Sequence, residues 1–409
     1  MKILFISQWF DPEPFFKGIN YVKRLNRRGH DVHVLTGFPN YPNGIIYDGY
    51  KVRLWQHELI EKISVLRTYL YPSHDNSSVK RAINYLSFAF SATIFGIIKL
   101  KKPDLVYVYH PPITVGITAL ILKRIWKVPY VYEIQDIWPD TLRATGMVNN
   151  KYLMRIIDRL CTIIYKNADR LTVISPGFKD KLISMGINQE KIDVIYNPCD
   201  ETSSYPRKGN QQLAKKLKLN GKFNIMFTGN MGKAQALESV LKSAELVQNN
   251  YPEIQFVFIG GGIDENYLRN CAKELNLDNT LFLERVPLSK IGDIIALADI
   301  ALVHLKRDPL FKITIPGKTQ TYMASSKPII IGVEGDAANL VIKANAGVTC
   351  IPEDHKSICD AALKLYNLPK EELIKMGKNG RKYYESELSL DVLFQKLDEV
   401  FNKAIRSYS

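Results

Sequence analysis

Two short runs in the second half of the chain join glycine-rich turns to a lysine, a combination suited to holding a phosphate. The first is Thr228-Gly-Asn-Met-Gly-Lys233, which follows an apolar run and precedes a helix-like stretch. Gly229, Asn230 and Gly232 would let backbone come close to an anion, and the helix start offers free N–H groups. Lys233 adds a compact charge that matches a diphosphate. Alone, the same turn reads equally as an ordinary strand-to-helix connection. The second run is Ile315-Pro-Gly-Lys-Thr-Gln-Thr-Tyr-Met-Ala324. Pro316 and Gly317 open a helix and Lys318 falls in its first turn, where the helix dipole favours acids. A bound anion resolves that conflict, and a lysine stretched into solvent is the alternative.

Other candidates cluster at the ends of apolar runs. Gly260-Gly-Gly262, with Gly261 at its centre, suits a close backbone approach, and Glu284-Arg-Val-Pro287 carries Arg285 on a loop that could read a base or simply be polar. In the first half, Glu133-Ile-Gln-Asp-Ile-Trp-Pro-Asp140 puts carboxylates directly after a buried strand, where they can orient hydroxyls or accept a proton. Asp136 is the first choice there and Asp140 the second. His110, in Tyr109-His-Pro-Pro112, also ends a strand, and a partly buried histidine bonded to backbone is its competing reading.

These residues need elements to place them. Lys2–Ser7, Asp31–Thr36, Leu105–Tyr109, Tyr130–Ile134, Leu171–Ile174 and Asp193–Tyr196 read as strands, several of them unbroken Val/Ile/Tyr runs typical of a parallel sheet buried on both faces. Gly18–Arg28, Asn84–Lys99 and Lys151–Asn167 read as helices between them. The polar, aperiodic stretch Asp200–Gln212 interrupts the rhythm. A second series follows, with strands at Asn224–Thr228, Gln255–Ile259, Thr280–Leu283, Ile300–His304, Pro328–Ile331 and Val348–Cys350. Leu237–Asn249, Asp264–Leu275, Glu371–Glu385 and Leu390–Ser407 read as its helices. The expectation is an α/β chain of two doubly wound parallel-sheet domains: 1–200, a linker 201–212, then 213–385, with a terminal segment 386–409. Ligands of such sheets bind at the carboxyl ends of the strands, which predicts a central cleft.

Composition narrows the class. The five cysteines are scattered, without a CxxC or Cys/His cluster, which argues against a disulfide framework or a structural zinc and fits a reducing compartment. The opening apolar run is too short for a signal peptide and meets Asp11 and Glu13 at once. No stretch reaches the roughly eighteen uncharged apolar residues of a spanning helix. The net charge of +14 is uneven, with 27 Lys and Arg against 17 Asp and Glu before residue 201 and 28 against 24 after it. That suits an anionic partner such as a phosphorylated substrate or a lipid surface. Val79–Lys102 sets an apolar run between basic clusters; a helix packed on the sheet is the leading reading and shallow contact with an anionic membrane its rival. No basic-aromatic nucleic-acid module appears.

In order and spacing the motifs resemble glycosyltransferase family 4, and within it the WbuB-like branch that builds O-antigen or capsule sugars. The resemblance spans nearly the whole chain. It rests on MKILFISQWFDPEP, Gly29-His30, Thr36-Gly-Phe-Pro-Asn-Tyr-Pro-Asn-Gly44, EIQDIWPD, GNMGKAQAL, IPGKTQTYMA and Val333-Glu-Gly-Asp-Ala-Ala338. It implies a GT-B fold of two Rossmann-like domains facing a cleft, no metal or other cofactor, and retention at the anomeric carbon. A UDP-sugar would lie on the second domain, with Gly229, Asn230 and Lys233 near the diphosphate. The Arg285 loop would take the base, and Thr314, Ile315, Pro316, Gly317 and Lys318 the phosphates and sugar. The acceptor, a polyprenyl-diphosphate-linked saccharide, would lie near Asp136, Asp140 and the loop bearing Asn40 and Tyr41. The last helix would cross back to brace the first domain. A cytoplasmic protein, peripheral on the inner membrane, is the expected setting.

One departure stands out. Many family members carry two glutamates at positions that Ile313 and Thr321 occupy here. Thr321 can still bond a ribose hydroxyl, whereas Ile313 cannot replace a carboxylate at the sugar. The family's usual arginine in the first phosphate loop is also absent. These losses suit a donor with fewer hydroxyls, such as an N-acetylated deoxyhexosamine (L-FucNAc is one), or reduced activity. A nucleotide-sugar epimerase of the same architecture and a non-catalytic sugar-nucleotide-binding protein are the alternatives.

Overall fold

In the computed structural model, which describes residues 1–74, 77–144 and 150–408, the chain forms two compact units. Met1–Ile174, Phe178–Ile195 and Phe394–Ser409 make the first, and Ser175–Gly177 with Tyr196–Leu393 make the second. The segment 201–212, read as a linker from its polarity, is part of the second unit: Ser203 and Ser204 are buried, and Arg207 pairs with Asp293 at 2.5 Å.

The first unit is built on β1 (Lys2–Ile6), β2 (Asp31–Gly37), β3 (Trp55–Ile60), β4 (Ile63–Thr68), β5 (Leu105–His110), β6 (Tyr130–Ile134), β7 (Arg170–Val173) and β8 (Ile192–Val194). They lie in the order β3-β4-β2-β1-β5-β6-β7-β8, parallel except for β3 against β4. Apart from exposed Lys2 the inner strands are buried along their length, as their largely apolar sequences require, with Glu133 and His110 as buried polar exceptions. The β3–β4 hairpin has no counterpart in the sequence reading. Its turn residues, Glu61 and Lys62, both have positive φ but are not the Asn-Gly pair that announces such a turn.

Helices α1 (Ile19–Arg27), α2 (Ser78–Lys99), α3 (Val115–Trp126), α4 (Asp140–Ala144) and α5 (Lys151–Asn167) cover this sheet. The helix expected from Asn84 begins earlier, at Ser78, because the Ser77 hydroxyl caps it by accepting from the Lys80 N–H. At 22 residues α2 is long and apolar enough to cross a bilayer by length and composition. One face is nevertheless committed to the protein: Asn84, Phe88, Ala92 and Gly96 are buried. The final helix, Leu390–Tyr408, contributes to the first unit, where Asp398 bonds Arg28 and His30 and Lys403 bonds Asp193.

The second unit holds β9 (Phe223–Asn230), β10 (Ile254–Gly261), β11 (Thr280–Leu283), β12 (Ile300–His304), β13 (Ile329–Gly332) and β14 (Gly347–Thr349). All run parallel in the order β11-β10-β9-β12-β13-β14. Ile225, Phe227, Phe256, Phe258, Ile300 and Leu302 point into one layer of core, while Ala301, Val303, Ile329 and Ile331 point into the other. This period-two alternation across a sheet buried on both faces leaves β9 and β12 side by side at its centre. Their carboxyl ends carry the glycine turn and His304.

Candidate active site

The glycine turn after β9 is held by its neighbour strand. Gly229 pairs with Gly260 and Asn230 with Gly261, and the Met231 N–H donates to the Gly261 carbonyl at 2.9 Å. Close stacking demands glycine at position 260: φ is +140° and an added Cβ would lie 2.0 Å from the Gly229 oxygen. From the other side, buried His304 fixes the turn. Its Nε2 accepts from the Glu353 N–H at 3.1 Å, so its Nδ1 carries the proton and donates to the Gln235 carbonyl at 2.7 Å. Burial lowers the pKa of this imidazole and keeps it neutral. The sequence reading missed His304; a lone polar residue closing the run Ile300-Ala-Leu-Val was its only signal.

The second phosphate-type motif forms the helix Gly317–Ala324, with Pro316 at its N-cap and no side-chain cap. Its first N–H groups therefore lack intrahelical partners. Gly317 is exposed and, among the described residues, a Cβ there would meet nothing within 4 Å, so the helix start is open on that side. Tyr322, fully buried, anchors the helix to the end of β9 through Thr228. This link brings the two motifs together. The Lys318 ammonium lies over the Phe227 ring, 3.4 Å from its centroid, and 3.7 Å from where a Gly229 Cβ would be. It is thus not a lysine stretched into solvent: burial lowers its pKa to about 7. A cation held over an aromatic face beside two sets of backbone N–H groups is suited to an incoming diphosphate.

The other donor-side candidates are placed less tightly. Lys233 is exposed and borders a hollow shared with Glu238, Asp264 and Tyr267. Arg285 is exposed beyond β11, the edge strand. Thr314 spends its hydroxyl on the Leu310 carbonyl at 2.8 Å, and Ile315 is buried in the core. Thr321 bonds back to the Gly317 carbonyl at 3.2 Å, and Ile313 is half-buried.

In the first unit the structure revises several assignments. Glu133 does not sit at the sheet edge as a free carboxylate; it is buried inside β6 and grips buried Lys17, with Tyr107 donating to it as well. Asp136 is half-buried, and desolvation raises its pKa, as befits a group that accepts a proton. Asp140 is ion-paired with Lys181 at 2.5 Å and Arg143 at 3.1 Å, partners that hold its carboxylate in place and leave lone pairs on its oxygens. His110 is fully buried between the Tyr132 and Trp138 rings, and among the described residues neither ring nitrogen has a hydrogen-bond partner, so the backbone partner envisaged for it is not found there. Burial lowers its pKa to about 3, which removes it as an acid or base near neutrality.

The loop proposed to meet the acceptor is clamped by a residue the sequence reading passed over. Buried Glu13 accepts from the N–H groups of Phe10, Asn40 and Tyr41, each at 2.8 Å. Burial raises its pKa to about 7 against the pull of those donors and of Arg67. Asn40 is itself buried and spends its amide on the Phe38 carbonyl, so its side chain is structural. Tyr41 packs its ring on Trp9 and His74, with centroids 4.9 and 4.8 Å away, and remains partly exposed.

Two family models match successive parts of the chain, one on each side of residue 200. Residues 20–198 match the glycosyl transferase 4-like domain and residues 210–383 match glycosyl transferases group 1. The chain is a family 4 glycosyltransferase. Its relatives include the probable glycosyltransferase WbjE of Pseudomonas aeruginosa, 25% identical over 69% of this chain and 71% of that one. The putative colanic acid biosynthesis glycosyl transferase WcaI of Escherichia coli K12 is 24% identical over 98% and 100%. The capsular polysaccharide biosynthesis glycosyltransferase CapM of Staphylococcus aureus is 20% identical over 96% and 94%. Among solved structures, Anabaena Alr3699/HepE in complex with UDP and glucose superposes with a TM-score of 0.67 at 15% identity, covering 98% and 99% of the two chains. The E. coli trehalose-6-phosphate protein bound with UDP-2-fluoro glucose gives 0.72 at 12%, over 98% and 99%. At such identities these structures establish the fold of the glycosyltransferase, which is GT-B.

Proposed function

We propose that the glycosyltransferase moves a sugar from a UDP-sugar to a polyprenyl-diphosphate-linked saccharide during capsule or O-antigen assembly. The observation that carries the reading is the Lys318 ammonium beside Gly229 at the open start of the helix Gly317–Ala324. As the bond between the sugar's anomeric carbon and the diphosphate oxygen breaks and the acceptor hydroxyl, losing its proton, bonds to that carbon, charge grows on the departing UDP, and this cation with the adjacent N–H groups stabilises it. The relatives named for colanic acid and capsular polysaccharide synthesis support the pathway, and the UDP complexes of the structural neighbours support the donor. In this reading no metal is required and the anomeric configuration is retained.

Asp136, with its raised proton affinity, orients the acceptor hydroxyl, and the partly exposed Tyr41 ring offers a face for a sugar to stack on. Ile313 and Thr321 stand where two glutamates are common, which favours a donor poorer in hydroxyls, an N-acetylated deoxyhexosamine such as L-FucNAc, and hence the WbuB-like branch. The enzyme works at the cytoplasmic face of the membrane that holds its acceptor.

The test is a panel of UDP-sugars incubated with purified enzyme and membrane extract, read by the mass of lipid-linked product. One UDP-N-acetyl-deoxyhexosamine should add its residue mass to a lipid-linked species, and the Lys233→Ala/Lys318→Ala double variant should not. Undiminished transfer by that variant overturns the site. Interconversion of a UDP-N-acetylhexosamine without any acceptor would establish the epimerase reading instead.

A further inference from the structure

Helix α2 has two different faces. Toward the sheet it buries Phe88, Ala89, Ala92 and Gly96, as a core helix must. Away from the sheet it presents Val79 (69% exposed), Ile83 (46%), Leu86 (55%), Phe90 (71%) and Ile98 (63%). Their spacing of three, four or eight residues puts them on one stripe, along a helix about 33 Å long. A soluble surface normally scatters such residues singly, and a continuous apolar ridge marks an interaction site. The ridge widens at its end: Leu54 and Trp55 are exposed there, and Lys99 stacks on the Trp55 ring at 4.1 Å.

Charge identifies the occupant. Between Ser77 and Pro103 there is no Asp or Glu, while Lys80 and Arg81 flank one end of the ridge and Lys99, Lys101 and Lys102 the other. The neighbouring helices continue the pattern. α3 packs on α2 and α5 on α3, and α5 exposes Tyr152 and Ile156 among Lys151, Arg155 and Arg159, with the exposed acid Asp158 beside them, so the helix is net basic there. An apolar stripe bordered by cations, with Trp and Tyr at its margin, matches the boundary between acyl chains and anionic headgroups. A second copy of this chain fits poorly, because two such ridges face to face would also bring their basic borders together.

We propose that this face of the first unit, led by the α2 ridge, docks the enzyme on an anionic lipid bilayer. The helix lies in the membrane plane, since its other side is held by the sheet. The inference deepens the acceptor reading above by supplying the surface from which a lipid-linked saccharide is presented, and it is tested independently of sugar transfer.

The experiment is co-sedimentation of the full chain with vesicles of phosphatidylcholine alone and with roughly a third of phosphatidylglycerol, at low and high salt. Wild type should partition to the anionic vesicles and be released by salt. Phe90→Glu and Leu86→Glu, both at exposed positions, should each weaken partitioning roughly tenfold or more. Lys101→Glu and Lys102→Glu should each weaken it roughly fivefold on anionic vesicles alone. Circular dichroism and UDP binding serve as controls for an intact fold. Failure of wild type to bind either vesicle, or unimpaired binding by the Glu variants at positions 86 and 90, overturns the proposal. So does a dimer, measured by sedimentation equilibrium, that Phe90→Glu dissolves. If vesicle binding fails while transfer to a detergent-solubilised acceptor persists, the docking face is refuted and the transferase reading stands; vesicle binding without transfer to any acceptor does the reverse.

Discussion

The Tyr322 hydroxyl lies 2.9 Å from both the N–H and the hydroxyl oxygen of Thr228, so the helix bearing one phosphate-type motif is hydrogen-bonded to the strand that leads into the other. Tyr322→Phe would leave a buried N–H without its acceptor. The variant should lose about 1–3 kcal/mol of stability, measured by urea unfolding. Its KM for the donor should rise more than its kcat falls, because the two turns would no longer be held in register. Unchanged stability together with unchanged donor KM would show that the link positions nothing.

Glycine is needed at some positions of the site for shape and at others for access. Gly260→Ala drives a Cβ to 2.0 Å from the Gly229 oxygen at a φ of +140°. It should cost about 3 kcal/mol or more and abolish donor binding. Gly317→Ala meets nothing and should leave the melting temperature unchanged or slightly raised. If the donor diphosphate presses against that helix start, the same substitution raises donor Kd without cost to the fold. Calorimetry of UDP binding beside thermal unfolding separates the two effects.

Lys318 gives donor binding a pH dependence. Burial lowers its pKa to about 7 in the free protein, and a bound diphosphate would raise it again. Binding between those two values takes up a proton, so affinity should be greatest below pH 7 and weaken by up to about tenfold per unit above it. Lys318→Arg, which stays charged, should flatten the profile even if its fit is poorer. A wild-type Kd for UDP that is level from pH 6 to 9 would remove Lys318 from the phosphate site.

Lys17 and Glu133 form a buried ion pair, with Tyr21 and Tyr107 bonded to the same ammonium. Lys17→Met would strand a carboxylate in the core and should cost about 3–5 kcal/mol. Adding Glu133→Gln should recover part of that loss, which a double-mutant cycle in denaturant would measure.

Much of the fold could be read from the sequence, because a parallel strand buried on both faces writes itself as a mostly apolar run; Tyr130–Ile134 and Ile300–His304, both buried throughout, have the same bounds in both, and so does the half-buried edge strand Thr280–Leu283. The β3–β4 hairpin could not, since Trp55–Ile60 is half-exposed and its Glu-Lys turn carries no glycine or asparagine. At the site, the glycine and lysine motifs were visible as local sequence, whereas the approach of Lys318 to Gly229 rests on the Tyr322–Thr228 hydrogen bonds that tie the helix to the end of β9. What sequence could not give was partnership. Glu133, Asp140, Asn40 and Glu13 looked alike as polar residues near strand ends, and their partners decide what each one does: Lys17, Lys181 and Tyr41 far along the chain for the three acids, and the Phe38 carbonyl two residues away for Asn40.

The return of the last helix to the first unit bears on how the protein is made. A ribosome releases Met1–Ile195 while the residues that complete this unit, from Phe394 onward, are still unsynthesised. At ordinary elongation rates the wait lasts roughly 10–40 s. Through that interval Tyr21 and Tyr107 lack their eventual covers, Phe394 and Phe401, and the nascent domain has an incomplete core. Expressed alone, the amino-terminal fragment would need the final helix supplied as a peptide, and the second unit has the better prospect of maturing unaided.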